Sequence, residues 1–225
     1  MESFLPAILY SFRRCPYAMR ARYTLALLSQ SVELREVVLK NKPEALLKLG
    51  GRSTVPQLIV DGKRYPESFD IMMWAINQAP LSNMSLQLWP QSKVMQTKIQ
   101  TWVSYNDHCF KYWLDRYKYA DRHPEFAEDF YRQKGERFLK RLDVRLSRYP
   151  YLMGESMTLA DVAIFPFIRQ FAGVKPTWFA DSNYPNLKLW LSGFVDGKGF
   201  AAIMSKYEPW QEGQPTIIFP THLNS

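Results

Sequence analysis

The sequence predicts a two-part molecule, an α/β domain followed by an all-α domain. Three observations carry this. Over residues 1–80, short apolar runs alternate with helix-like patterns. Over 81–91, Pro, Ser and Asn are frequent and periodicity is lost, as in a linker. Over 92–225, every periodic segment has helical spacing, ending in an irregular tail at 208–225.

Residues 7–11 form an apolar run that reads as a buried strand, and 16–29 follow with Ala18, Ala21, Leu25 and Leu28 on one helical face. The Val- and Leu-rich run 32–39 is a second strand. The polar segment Lys40-Asn41-Lys42-Pro43-Glu44 then opens a short helix at 45–49, stopped by Gly50-Gly51. Val55-Pro56-Gln57-Leu58-Ile59-Val60 and Lys63-Arg64-Tyr65 meet at Asp61-Gly62, a strong hairpin signal. Glu67-Ser68 opens a helix with Ile71, Met72, Ala75 and Ile76 on its buried face. The order β-α-β-α-β-β-α implies a right-handed crossover between parallel strands, an antiparallel hairpin at one end and helices on both faces. In the second half, helices are expected at 93–122, 124–149, 158–173 and 186–195, then a last short one ending near Tyr207. Trp210 and Ile217-Ile218-Phe219 in the tail either cover the site or pack on the surface.

Nearly half of the 225 residues are apolar and 15% are aromatic, which indicates a globular chain with room for two cores. No charged-then-apolar opening segment and no run of bilayer-spanning length is present, so neither a signal peptide nor a membrane association is expected. Two cysteines, Cys15 and Cys109, are too few for a disulfide framework or a zinc site, which points to a reduced, cytoplasmic protein without a metal. The net charge of +8 comes from basic residues scattered among acids on helical segments. Such a pattern is a solvated helix surface that attracts small anions, and no nucleic-acid module accompanies it.

The residue that organises the chain is Cys15, where a buried strand hands over to a helix. Pro16 suits the first helical turn, since its fixed φ is helical and it has no N–H to leave unpaired. There the free backbone N–H groups and the positive end of the helix dipole favour a thiolate. Arg13, Arg14, Arg20 and Arg22 can add to this, depending on which of them point at the sulfur. A buried, inert cysteine is the commoner fate of a free thiol, but a cysteine before proline at such a junction fits it poorly. Cys109 has the opposite balance. It lies between aromatics in a long helical segment and reads as packing, and neighbouring His108 does not face it on a helix.

Four local features, in order along the chain, resemble those of the glutathione transferases: Cys15-Pro16-Tyr17-Ala18, Thr54-Val55-Pro56, Glu67-Ser68 and Ser156-Met157-Thr158-Leu159-Ala160-Asp161-Val162. The first resembles the glutaredoxin pattern with its second cysteine replaced, as in cysteine-type, omega-like members of bacterial type. The resemblance implies a thioredoxin-like N-terminal domain and an all-helical C-terminal domain. It implies that Cys15 is catalytic, and that glutathione, as co-substrate, is held by Pro16, Tyr17, Lys42, Val55, Pro56, Glu67 and Ser68. In that scheme Pro56 is cis, and Val55 offers its backbone N–H and C=O to the cysteinyl part as an added strand would. Glu67 and Ser68 bind the γ-glutamyl end at a helix start, and Lys42 pairs with the glycyl carboxylate. Thr158 and Asp161 have capping-box spacing, with Met157 and Val162 placed for a hydrophobic staple; this role is structural. The chain departs from the omega pattern at Gly50-Gly51-Arg52-Ser53, which replaces an Asn-Pro-containing turn. Arg52 is a further candidate there for a carboxylate contact.

Two of these features also have plain readings. Val55-Pro56 can be an ordinary strand start, and Glu67-Ser68 an ordinary helix start. The aromatic stretch 102–119 covers more than one helical face, so most of it is core or subunit interface. By i,i+3 and i,i+4 spacing Tyr105, His108 and Tyr112 are candidates for a second-substrate pocket. Ala18 leaves no nearby resolving thiol, so the expected chemistry is monothiol: glutathione-dependent thiol transfer or deglutathionylation of a disulfide substrate. The alternatives are conjugation or reduction of small electrophiles, including dehalogenation and dehydroascorbate reduction, and a transferase-fold interaction protein without turnover. A homodimer is implied by the resemblance.

Overall fold

The computed structural model describes residues 7–220; the outermost parts of the two expected domain ranges, 1–6 and 221–225, lie outside them. The chain divides into two units, one formed by Met1–Ser85 with Lys198–Ser225 and the other by Leu86–Gly197.

In the first unit β1 (Ile8–Ser11) pairs in parallel with β2 (Val32–Glu36), and α1 (Pro16–Leu27) makes the crossover. α2 (Glu44–Leu47) precedes β3 (Gln57–Val60), which is antiparallel to β1, and β4 (Lys63–Tyr65) returns beside β3. Positive φ at Asp61 (48°) and Gly62 (77°) gives the tight turn between them the twist that its strands need. α3 (Ser68–Gln78) packs against α1 and completes the β-α-β-α-β-β-α order. The second strand is shorter than expected. It ends at Glu36, and Val38 turns back to pair with Asn41. α1 is buried on nearly every side, Arg20 and Arg22 included.

The expected linker is not irregular. Ser82 and Ser85 each accept a hydrogen bond from the other's backbone N–H (2.9 and 3.2 Å), and this pair opens α4 (Asn83–Leu88). The expected single helix over 93–122 is also interrupted. α5 (Lys93–Tyr105) runs into a π turn at Asn106–Phe110 before α6 (Lys111–Lys118) and a 3-10 turn at Ala120–Arg122. The wider turn buries both Asn106 and Phe110, and the Phe110 ring meets Phe138 at 4.9 Å and Phe171 at 5.6 Å.

α7 (Glu128–Leu146) and α8 (Leu159–Ala172) carry the core of this unit. They approach closely at Gly135, where a Cβ would lie 2.5 Å from the Phe171 ring. The capping box at Thr158 is formed: Asp161 accepts from the Thr158 N–H at 2.9 Å, and both halves of the box are present. Asp161 also accepts from the Leu152 N–H (2.8 Å) and the Trp190 indole (3.1 Å), so this one carboxylate ties a loop and a further helix to α8. Burial nevertheless pushes its pKa up against those bonds. α9 (Pro176–Asp181), which the sequence pattern did not suggest, is followed by α10 (Pro185–Val195).

The largest correction concerns the tail. Residues 92–225 were expected to form one helical domain, but the chain from Lys198 onward groups with the first unit. α11 (Lys198–Ile203) packs on α1, where Gly199 allows the Tyr23 ring to approach. β5 (Ile218–Phe219) then pairs antiparallel with β2, giving the strand order β4-β3-β1-β2-β5. The physical reason is the open edge of β2, whose unpaired backbone groups accept a strand from any source within reach.

Candidate functional site

Cys15 is the N-cap residue of α1, with extended backbone (φ −74°, ψ 123°) and Pro16 at the first helical position. Its N–H bonds to the Phe12 carbonyl at 3.0 Å, which folds the 12–15 loop, and its carbonyl accepts the Met19 N–H at 2.8 Å. The half-buried sulfur therefore sits at the positive end of the helix. The Val55–Pro56 bond is cis, and the Cys15 Sγ donates to the Val55 carbonyl at 3.6 Å. Three of the sequence-derived site residues, Cys15, Val55 and Pro56, are thus brought together.

The four arginines near the thiol separate into distinct roles. Arg14 is exposed, 5.7 Å from the Phe12 ring centroid. The Arg13 guanidinium reaches the Met204 carbonyl at 3.4 Å. Arg20 is 2% exposed; its Nε donates to the Ser68 hydroxyl at 3.0 Å, and its guanidinium lies 5.0 Å from the Tyr17 ring centroid. Arg22, 1% exposed, donates to Ser11 Oγ at 2.6 Å and to the Arg13 carbonyl at 2.7 Å. Burial brings its pKa down to about 10, while Glu36 and Cys15 act in the opposite direction by favouring the charged guanidinium.

The remaining first-unit candidates surround two turns. Ser68 is buried at the first position of α3, beside Arg20, whereas Glu67 is exposed and its side chain does not cap the helix. Glu67-Ser68 is thus also the ordinary helix start of the plain reading, with Glu67 as the N-cap residue of α3 although its side chain makes no capping bond. Lys42 Nζ donates to Ser53 Oγ at 3.2 Å, so the lysine stands over the 50–53 turn that departs from the omega pattern. Arg64 holds this turn from β4 by donating to the Leu49, Gly50 and Arg52 carbonyls (3.0, 2.6 and 2.7 Å), and fully buried Gln57 donates to the Arg52 and Thr54 carbonyls. Glu36, Gln57 and Arg64 were missed in the sequence because charged and amide side chains read as surface, and Arg20 and Arg22 were read as neighbours of the thiol but not as buried groups. The available signal was the position of Arg20 and Arg22 among the buried Ala18, Ala21 and Leu25.

The second-substrate candidates lie in the other unit, and the π turn breaks the regular spacing that grouped them. Tyr105 packs its ring on Phe138 (5.1 Å), with the Arg141 guanidinium 5.4 Å from its centroid. His108 is exposed, and Tyr112 is exposed with the Arg116 guanidinium 3.5 Å from its ring centroid. Cys109, expected to be a packing residue, is exposed instead, because the wider turn carries it outward between buried Asn106 and Phe110. Among the described residues no group of three or more His, Cys, Asp or Glu could hold a metal ion, and no helix is long and apolar enough to cross a membrane.

Residues 9–83 match the model of the glutathione S-transferase N-terminal domain, and residues 111–192 match that of the glutathione S-transferase C-terminal domain. A probable glutathione S-transferase MSR-1 from Nicotiana plumbaginifolia is 27% identical over 167 residues, 73% of each chain. Among solved structures, a glutathione transferase family member from Pseudomonas fluorescens with two glutathione bound is similar at a TM-score of 0.75 and 20% identity, covering 91% of this chain and 94% of its own. A Tau class glutathione S-transferase from mango is similar at a TM-score of 0.70 and 20% identity, with the same coverage of 91% and 94%.

Proposed function

Because this chain belongs to the glutathione S-transferase family, we propose that it is a glutathione-dependent thiol transferase with Cys15 as its nucleophile. The observation that carries the reading is the position of the sulfur, at the N-terminus of α1 and against the carbonyl of the residue before cis-Pro56. Glutathione is the co-substrate and no metal takes part. Val55 pairs with its cysteinyl backbone, Lys42 takes the glycyl carboxylate, and Glu67 with Ser68 takes the γ-glutamyl end. Pro16 and Tyr17 line the same site. Tyr105, His108 and Tyr112 are the helical unit's candidates for contact with the second substrate. The protein works as a homodimer in the cytoplasm, where reduced glutathione is available.

In the first step the Cys15 thiolate attacks the glutathionyl sulfur of a mixed disulfide. A Cys15–glutathione disulfide forms, the original S–S bond breaks, and the substrate leaves as a thiolate that takes up a proton. In the second step a glutathione thiolate attacks that disulfide, releasing oxidised glutathione and restoring the Cys15 thiolate. Ala18 stands where a dithiol enzyme has its resolving cysteine, so the second step requires free glutathione.

Turnover of a glutathione mixed disulfide by the wild type and by Cys15→Ala tests this. The expected result is a fall of at least about a thousandfold in kcat/KM for the variant, with glutathione affinity nearly unchanged. Activity that survives the substitution overturns the mechanism. Conjugation of glutathione to an aryl halide that survives while disulfide turnover is absent favours the conjugating alternative.

A further inference from the structure

We propose that Arg22 and Glu36 are a buried positioning pair that sets the ionisation of the Cys15 thiol, with the C-terminal segment as the cover that keeps water from them. The proposal rests on the reading of Cys15 as the nucleophile.

The geometry centres on the loop just before the thiol. Arg22, about two turns further along α1, grips that loop at Ser11 Oγ and the Arg13 carbonyl. Glu36, at the end of β2 and 8% exposed, grips it from the strand side by accepting the Arg13 N–H at 2.7 Å. The two side chains meet at 3.9 Å, Arg22 Nη1 to Glu36 Oε2. Every bond they make to the loop falls within three residues of Arg13.

Stability alone does not account for such a pair. A buried ion pair contributes little over apolar residues of the same size unless its remaining hydrogen-bonding groups are satisfied. Here Arg22 Nε and Glu36 Oε2 have no hydrogen-bond partner among the described residues, and the pair meets at a single long contact. What the pair does provide is charge. Arg22 stays cationic at neutral pH and interacts electrostatically with Cys15, while the Glu36 carboxylate offsets part of that charge. Burial raises the Glu36 pKa, and the Arg13 N–H together with the Arg22 and Arg13 charges pulls it back down.

The C-terminal segment closes over this pair. The Met204 carbonyl accepts from the Arg13 guanidinium, and the Trp210 N–H bonds to the Glu36 carbonyl at 2.9 Å. Tyr207 is the third titratable group in reach of the pair, its hydroxyl pKa raised by burial and held back by Arg22. The groups facing the pair are thus Arg13 and Cys15 from the loop and Tyr207 from the tail. Low local dielectric makes each of these interactions stronger than it is in water.

The pH dependence of Cys15 alkylation by iodoacetamide, resolved from Cys109 by peptide mass spectrometry, tests the proposal on the full chain. Glu36→Gln keeps an oxygen for the Arg13 N–H and removes the offsetting charge, so the alkylation midpoint is expected to fall by about one pH unit. Arg22→Met is expected to raise it by about as much or more, and Arg22→Lys to recover part of the change. A midpoint that stays put in folded Glu36→Gln overturns the proposal, whatever the arginine variants do. If Arg22→Met fails to fold, Glu36→Gln and Arg22→Lys decide. Alkylation reports the thiol itself, independently of turnover. A shifted midpoint in a protein that does not turn over mixed disulfides therefore upholds the pair and rejects Cys15 as the nucleophile of the proposed reaction.

Discussion

Ser68 has one hydroxyl proton and two lone pairs, and the Arg20 Nε donates to the oxygen at 3.0 Å. That bond leaves the hydroxyl proton able to point at a carboxylate, and it places a buried cation behind the same group. A charge-assisted bond of this kind contributes about 1.5–3 kcal/mol. Ser68→Ala is therefore expected to weaken glutathione binding by about tenfold or more in calorimetric titration, while the Cys15 alkylation midpoint stays where it is. Unchanged affinity would remove Ser68 from the glutathione site. Little of this environment was legible in the sequence. Cys15-Pro16 and Glu67-Ser68 could be read because their chemistry is local, in a fixed order along a few residues. Arg20 and Arg22 could be read as near the thiol, but their burial and the role of Glu36 could not, because a buried charge is defined by partners many residues away, such as Ser68 for Arg20.

Among the elements, α7 and α8 show where packing leaves no slack. Gly135 has no Cβ, and the Phe171 ring occupies the space that one would take, at 2.5 Å. Gly135→Ala gains helix propensity of up to about 1 kcal/mol yet must displace a ring wedged against Phe110 and Tyr117. Overpacking of this kind costs about 1–3 kcal/mol. The expected net result is a lower thermal midpoint, measured by circular dichroism; a higher midpoint would mean that the ring moves freely. The Thr158–Asp161 box was legible because capping is a four-residue pattern, and it is formed. The π turn at Asn106–Phe110 was not, because aromatic and polar residues around Tyr105 and Tyr112 fit several faces at once. One wider turn then moves every later residue around the axis, which is how Cys109 comes to be exposed.

For the whole molecule, the β-α-β-α-β-β-α order and the helical half were legible because each rests on periodicity within one segment. The return of the chain after Lys198 to the first unit was not, since β5 spans only Ile218–Phe219 and exists through its pairing with β2. Removing residues 208–225 is expected to turn β2 back into an edge strand. The Leu34 N–H, bonded to the Ile217 carbonyl at 2.8 Å, then loses its partner. Its hydrogen exchange should accelerate by at least about tenfold, while amides of α7 and α8 keep their protection. Equal exchange at Leu34 in the full and shortened chains would show that the added strand does not hold in solution. The two cysteines, Cys15 and Cys109, provide an internal contrast. Cys109 is the more exposed, whereas Cys15 caps a helix N-terminus and has the Arg22 charge within electrostatic reach. Reactivity should follow thiolate character and not exposure alone. The most direct measurement is peptide-resolved mass spectrometry after brief exposure to oxidised glutathione. A glutathione adduct on Cys15, with Cys109 left largely unmodified, is the expected result; an adduct on Cys109 alone, or none at all, would contradict Cys15 as the nucleophile.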